Sequence, residues 1–294
     1  MMKTKHVQQI LPPPPSHMVG DGFRVHNFFP HGYDIQPHRM SPFYLLDYNA
    51  KIDFCPRETP RGVGVHPHRG FETVTIVYSG KVAHHDSRGN RGVVGPGDIQ
   101  WMTAGAGVLH KEYHEAEYSR KGGPFHVVQL WVNLPASYKM SEPGYQPITN
   151  EMIPKYILPE EGGTADVIAG TFKGVQGIAR TFTPIEMYNL RLKGKTALAF
   201  TLPRDYNTGI LVVEGNLRVN GNEMAPADNF ILFRNDGEKI TLETEESTTA
   251  LVLSGQPIKE PIVAYGPFLM NTKEEIMDAF HDLNSGKFGK LEDE

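Results

Sequence analysis

The sequence predicts an all-β protein built from two similar barrels, and three observations carry that reading. The 294-residue chain is punctuated by 30 glycines and 23 prolines. Between them lie short runs rich in β-branched and aromatic residues: "ETVTIVYSG", "FHVVQLWVNLP", "TALAFTL", "GILVVEG", "NFILF" and "TALVLSG". Runs of this length between turn residues read as a sandwich or barrel. The outline "GILVVEGNLRVNG" also echoes "VTIVYSGKVAHHD", strand–glycine–strand in both, as a weak internal repeat of one barrel.

Taken in order, the chain opens with "MMKTKHVQQILPPPPSHMVG", which lacks the apolar core of a secretory signal. Pro12–Pro15 is too short to be a spacer and sets an extended entry into the first strand. The aromatic-rich segment "FRVHNFFPHGYDIQPHRMSPFYLLDYNAKIDF" is expected to pack on the first barrel. A break falls in "YKMSEPGYQPITNEMIP", which places the first domain at residues 1–140 and the second at 141–294. One clear helix lies near the end, in "NTKEEIMDAFHDLNSG". Thr272 and Glu275 read as its capping box, Ile276, Ala279, Phe280 and Leu283 as its apolar stripe, and Gly286 as its stop. The closing "KLEDE" is expected to fray.

Composition bounds the function. No apolar run reaches the roughly 18 residues of a membrane span, so no membrane association is expected. Net charge is −5, and the basic footprint of a nucleic-acid binder is missing. The single cysteine, Cys55, excludes an intrachain disulfide and fits a reducing, cytoplasmic setting. With no helix N-terminus or cationic pair near it in sequence, Cys55 is read as an inert thiol.

The chemistry concentrates between Gly62 and Glu112. His66 and His68 stand two apart in "GVGVHPHRGFETVTIVYSG"; His110 and Glu112 stand two apart in "GPGDIQWMTAGAGVLHKEYH". Residues i and i+2 of a strand share a face about 7 Å apart, so each pair can aim at one point. Three imidazoles and a carboxylate suit a first-row transition metal, and they leave one or two coordination positions open. Glu72 shares strand parity with His66 and His68, and spacing alone does not choose between it and Glu112. Twelve of the thirteen histidines lie at or before His126, so the second half cannot repeat the site, and one metal per chain is expected. His84 is a candidate partner of a ligand or a turn-stabilising residue, while His85 and His114 are read as surface. His126 and Gln129 have opposite parity, so at most one faces the cavity. Trp131, which shares Gln129's parity, is read as core. Gly95–Gly97 in "VGPGD" is read as a hairpin turn, since nothing after it reads as a helix.

These motifs carry a resemblance. "GVHPHRGFETVTIV", "HDSRGNRGVVGPGDIQWMTAGAGVLHKE", "QLWVNLP", "EPIVAYGPFLMNTKEEI" and "PPPPSHMVGDGFRV" resemble the pirin family of the cupin superfamily over nearly the whole chain. The resemblance implies a bicupin: two stacked β-barrel domains, metal in the N-terminal one, and a C-terminal segment returning to pack on it. It places the metal ligands on His66, His68, His110 and Glu112, whereas the general cupin pattern nominates Glu72. With Glu112 taken as ligand, Glu72 becomes a residue that could orient a ligand histidine. The metal it implies is Fe first, with Zn, Mn, Ni, Cu and Co also suited. The implied activity is that of quercetin 2,3-dioxygenase, in which O2 opens a flavonol ring and carbon monoxide leaves. Glu112, as catalytic base, takes the proton of the 3-hydroxyl. The alternative from another class is a metal-binding regulatory module that docks on a protein partner. A cupin isomerase for a polar substrate is a third reading, but it wants cationic side chains facing the cavity, which the first-barrel strands scarcely offer.

Overall fold

The computed structural model describes residues 2–292. Strands dominate, and every pairing between named strands is antiparallel. Two compact units form, each a cupin barrel, and the chain is a bicupin. One comprises Pro14–Pro37, Phe43–Asn150 and Ile258–Glu294; the other comprises Met1–Pro13, His38–Pro42 and Glu151–Pro257. The units are therefore not the contiguous stretches 1–140 and 141–294. A pattern of strands marks where elements are, not which barrel edge a terminal strand will join.

Both units pair a seven-stranded sheet with a four-stranded one. In the first unit the larger sheet runs Gly144–Ile148, Ile99–Thr103, Phe71–Ser79, Gly123–Asn133, Phe43–Phe54, Phe23–Phe29, His17–Val19. The smaller runs Gly62–His68, Val108–His114, Val82–Asp86, Arg91–Val94. Phe71–Ser79 is central, and its first seven residues are all buried. Such burial marks a strand covered on both faces, although Glu72, Thr73 and Thr75 within it are polar. In the second unit Thr196–Thr201 alternates buried and exposed residue by residue, as a strand with one wet face must.

The internal repeat has a structural basis. In each unit a strand of the large sheet passes directly into one of the small sheet, Phe71–Ser79 into Val82–Asp86 and Asn207–Glu214 into Asn216–Val219. The corner residue is glycine both times, Gly80 at φ +84° and Gly215 at φ +79°. A side chain is strained in that conformation, and at Gly80 a Cβ would also meet Phe125.

Terminal segments complete each unit. Val7–Leu11 pairs with Phe230–Phe233 in the second. In the first, the hairpin Val263–Tyr265/Phe268–Met270 precedes the helix Lys273–Asn284. The helix starts at the expected capping box: Thr272 Oγ1 accepts from the Glu275 backbone, and Glu275 Oε2 accepts from the Thr272 backbone. Ile276 and Ala279 are buried, with Phe280 and Leu283 beside them, against Phe268, Met270, Phe288 and Leu109. Ser285 caps its end and Gly286 follows at φ +77°. A second helix, Ala116–Lys121, was not anticipated, because six residues are too few to show a period. The turn at Gly95–Asp98 is closed by Asp98 N donating to Gly95 O, as its sequence suggests. Of the residues expected to fray, Asp293 and Glu294 lie outside the described ones, and the Glu292 carbonyl accepts from Lys111 Nζ. No helix is long and apolar enough to cross a membrane.

Candidate metal centre

The small sheet of the first unit sets the site. Its strand Val108–His114 lies between Gly62–His68 and Val82–Asp86. On one side His110 stands opposite His66 and Val108 opposite His68; on the other Glu112 stands opposite His84. A register shift between His110 and Glu112 bends the strand beside the site, a common use of a bulge. The ring centroids of His66 and His110 are 4.2 Å apart; His68 is 4.8 Å from each of them.

Two overlapping groups share His110. The donor atoms of His66, His68 and His110 lie within 4.8 Å of one another, and so do those of His84, His110 and Glu112. His66 Nδ1 donates to the Gly64 carbonyl at 2.8 Å, and His68 Nδ1 to the Pro267 carbonyl at 3.3 Å. A carbonyl only accepts, so both rings carry their proton on Nδ1 and keep the Nε2 lone pair for a cation. His110 is fully buried, and neither of its nitrogens has a hydrogen-bond partner. Burial, reinforced by the neighbouring imidazoles, pushes His68 and His110 well below the ordinary histidine range. They are neutral, as a metal ligand must be. A buried neutral imidazole with an unserved lone pair, beside two more that keep Nε2 free, is a donor set that fits a divalent metal.

Glu112 is held on both oxygens. Oε1 accepts from Thr75 Oγ1 at 3.2 Å and from Gln100 Nε2 at 3.1 Å; Oε2 accepts from Gln129 Nε2 at 2.7 Å. Tyr145 Oη donates to Gln100 Oε1 at 3.1 Å and fixes the way that amide faces. Its other amide hydrogen points to His84 Nδ1 at 3.3 Å, and His84 Nε2 faces Asp86 Oδ2 at 3.3 Å. His84 thus lies behind the site, stacked on Tyr145, and is not a turn residue. Spacing could not single out Thr75 and Gln100. Each shares its strand with other polar residues, Thr75 with Glu72 and Thr73 and Gln100 with Thr103, so it is legible only once the strands are paired.

Glu72 is elsewhere. Its carboxyl accepts from Thr103 Oγ1 at 2.7 Å and belongs to neither group. The parity argument fails at Gly70, whose φ of +89° ends one strand before the next begins in another sheet. Face alternation restarts there, and Thr75, not Glu72, reaches the site. Glu72 therefore orients no ligand histidine through any hydrogen bond seen here. Burial raises its pKa to about 7, against the opposing bond from Thr103.

Other residues depart from their expected places. His114 is fully buried, not on the surface: its Nε2 donates to the Gly22 carbonyl at 2.8 Å among the rings of Phe23, Phe54, Tyr118 and Phe125. His85 is half-buried beside Tyr113. Of the opposite-parity pair, Gln129 faces the cavity, while His126 Nε2 meets Tyr48 Oη at 2.8 Å. Trp131 is half-buried and lines the cavity, edge-on to His68 at 5.2 Å and stacked on Phe71 at 4.1 Å. Arg69 reaches the Ala106 carbonyl and Asp282, with its guanidinium over Phe288. Cys55 is exposed and unpaired. The cavity measures about 330 Å³. His66, His68 and Glu112 lie on one side, with Phe23, Val25, Val127 and Trp131 among its apolar lining.

Two cupin barrels, one with a cavity of imidazoles and a carboxylate and the other with an apolar interior, define a bicupin of metal-binding type. The Pirin family matches residues 22–132, and the Pirin C-terminal cupin domain matches residues 187–289. A Pseudomonas aeruginosa protein named a putative quercetin 2,3-dioxygenase is 46% identical over 272 residues, 92% of this chain and 94% of that one. A crystal structure described as quercetin 2,3-dioxygenase from Acinetobacter baumannii superposes with a TM-score of 0.93 at 45% identity, covering 99% of this chain and all of that one. An Escherichia coli bacterial pirin solved in complex with nickel(II) shares the fold at a TM-score of 0.63 and 20% identity, over 85% of this chain and 98% of its own. The chain belongs to the pirin family.

Proposed function

We propose that this protein is a metal-dependent dioxygenase that cleaves a flavonol with O2. His66, His68, His110 and Glu112 would hold one divalent metal, with iron first among Fe, Zn, Mn, Ni, Cu and Co. The observation that carries the reading is a fully buried His110 with two orphaned nitrogens beside an oriented carboxylate, at the edge of an apolar cavity. A bound transition metal supplies a Lewis-acidic centre for an anionic substrate oxygen and access to O2 chemistry. Everything else falls to the chain's own residues. Glu112 accepts the proton of the flavonol 3-hydroxyl, because its carboxylate is the one acidic group shared by the cavity and the histidine cluster. Thr75, Gln100 and Gln129 hold that carboxylate in place before substrate arrives, which lowers the cost of reaching a reactive geometry. Trp131 and the apolar lining take the flat rings and exclude water.

The test is oxygen uptake with carbon monoxide release on adding quercetin to protein reconstituted with each metal in turn. Turnover with at least one ion, abolished by Glu112→Gln, is expected, since an amide cannot take the proton. No oxygen uptake under any metal would sink the enzymatic reading.

A further inference from the structure

Across the cavity from Glu112 stands a polar row with no assigned work. Gln129, which donates to Glu112, pairs directly with Asp47 on the neighbouring strand, one strand spacing, about 4.8 Å, further from the cluster. Asp47 and Asn49 are two apart on Phe43–Phe54, share a face, and both line the cavity. Asp47 Oδ1 accepts from Asn27 Nδ2 at 2.7 Å, which leaves Oδ2 for another donor. Asn49 is 1% exposed, and its Oδ1 has no hydrogen-bond partner among the described residues. Turning the amide over only exchanges which end is unserved. Buried polar groups are nearly always satisfied, and an orphan in a ligand cavity points to a ligand that satisfies it. The rest of this wall is apolar: Phe23, Val25 and Val127.

We propose that Asn49 and Asp47 form a specificity subsite that reads hydroxyl groups on the substrate ring farthest from Glu112, so that the substrate class is flavonols hydroxylated on the second ring. The subsite rests on the flavonol reading given above. One hydroxyl donates to Asp47 Oδ2; a neighbouring one pairs with the Asn49 amide, which offers both a donor and an acceptor. A ring without hydroxyls leaves two buried polar groups unserved. Sites built to bond a hydroxyl reject analogues lacking it far more strongly than apolar pockets reject an extra group.

Binding without turnover tests this. Quercetin carries two hydroxyls on its second ring and galangin carries none. Each is titrated anaerobically into the metal-loaded protein, following quenching of tryptophan fluorescence. The wild type should bind quercetin at least tenfold more tightly than galangin. Asn49→Leu should lose about tenfold for quercetin and little for galangin, which closes the gap. Asp47→Asn keeps the shape and narrows the gap partway, and it serves if Asn49→Leu misfolds. Equal binding of the two flavonols by the wild type, or an unchanged gap in both variants, overturns the subsite and leaves the proposed function standing. Binding of neither flavonol overturns both.

Discussion

Glu72 and Glu112 show what a single residue's surroundings do to a carboxyl. Glu112 is wrapped by three donors; Glu72, in a buried strand, accepts from Thr103 Oγ1. Glu72→Gln is therefore expected to leave metal content unchanged, as measured by elemental analysis. It should also alter the pH dependence of stability. The folded pKa of about 7 stands above the ordinary glutamate value of 4.5, so the folded state holds a proton that the unfolded chain releases. That contribution is complete below pH 4.5 and is lost as pH rises through 7. The loss amounts to about 3 kcal/mol at about 1.4 kcal/mol per pH unit. Urea midpoints of the wild type should fall across that window relative to Glu72→Gln and run parallel above it. Among the histidines, His110→Ala should empty the site, His84→Ala should weaken metal binding about 10–100-fold, and His85→Ala should leave it intact. Equal retention in all three would dissolve the distinction. His66, His68, His110 and Glu112 were legible as pairs two apart on strands. Glu72 misled because a period of two survives only while one strand lasts, and Gly70 ends it. Asn49 was not legible at all, since one asparagine in a β-run carries no sign of whether a partner faces it.

At the scale of elements, the C-terminal segment serves the site without belonging to it. Pro267 offers the carbonyl that sets the His68 tautomer. Lys139 Nζ, fully sequestered, donates to the Gly70 carbonyl at 2.8 Å, Asn133 Oδ1 at 2.6 Å and the Leu269 carbonyl at 2.7 Å. Its three donors meet three acceptors, and they join the segment to the turn that follows His68. Deleting residues from Asn271 onward removes the helix whose Ile276, Ala279, Phe280 and Leu283 pack on Phe268 and Leu109. At about 1.5–3 kcal/mol per fully buried side chain, several kcal/mol of stability go with them. A thermal melt should show a markedly lower midpoint, and an unchanged one would mean the helix contributes nothing. The helix, its cap and its stripe were legible because they depend on residues within four positions of one another. The segment's attachment to Gly70 and Lys139 was not, since nothing local encodes it.

Over the whole molecule the two barrels share a plan and differ in their filling. The interior of the second is packed with Tyr188, Leu190, Val212, Ile231 and Val252, while both groups of metal-competent side chains lie in the first. Elemental analysis should return one tightly held equivalent per chain, and none once His66 and His68 are both replaced by alanine. A second equivalent surviving that change would place a metal where none is foreseen. The all-β class and the repeat were readable because strand periodicity and corner glycines are written locally. Of the exchange of terminal segments, the C-terminal return was implied by the resemblance, but the N-terminal half was not readable, because Val7–Leu11 would suit many sheet edges and only the folded barrel selects Phe230–Phe233.

That exchange also sets an order in time. A chain leaves the ribosome from its N-terminus, and domains generally fold as they emerge. Here the first strand waits for a partner translated far later. The barrel bearing the histidines lacks its covering hairpin, Val263–Tyr265/Phe268–Met270, until Pro267 and Leu269 have been made. Until then His68 has no carbonyl to fix its proton, and Lys139 lacks one of its three acceptors. On the metal reading proposed above, an ion meeting the nascent chain would find His68 without its Pro267 partner, and one meeting the finished chain would find that partner in place.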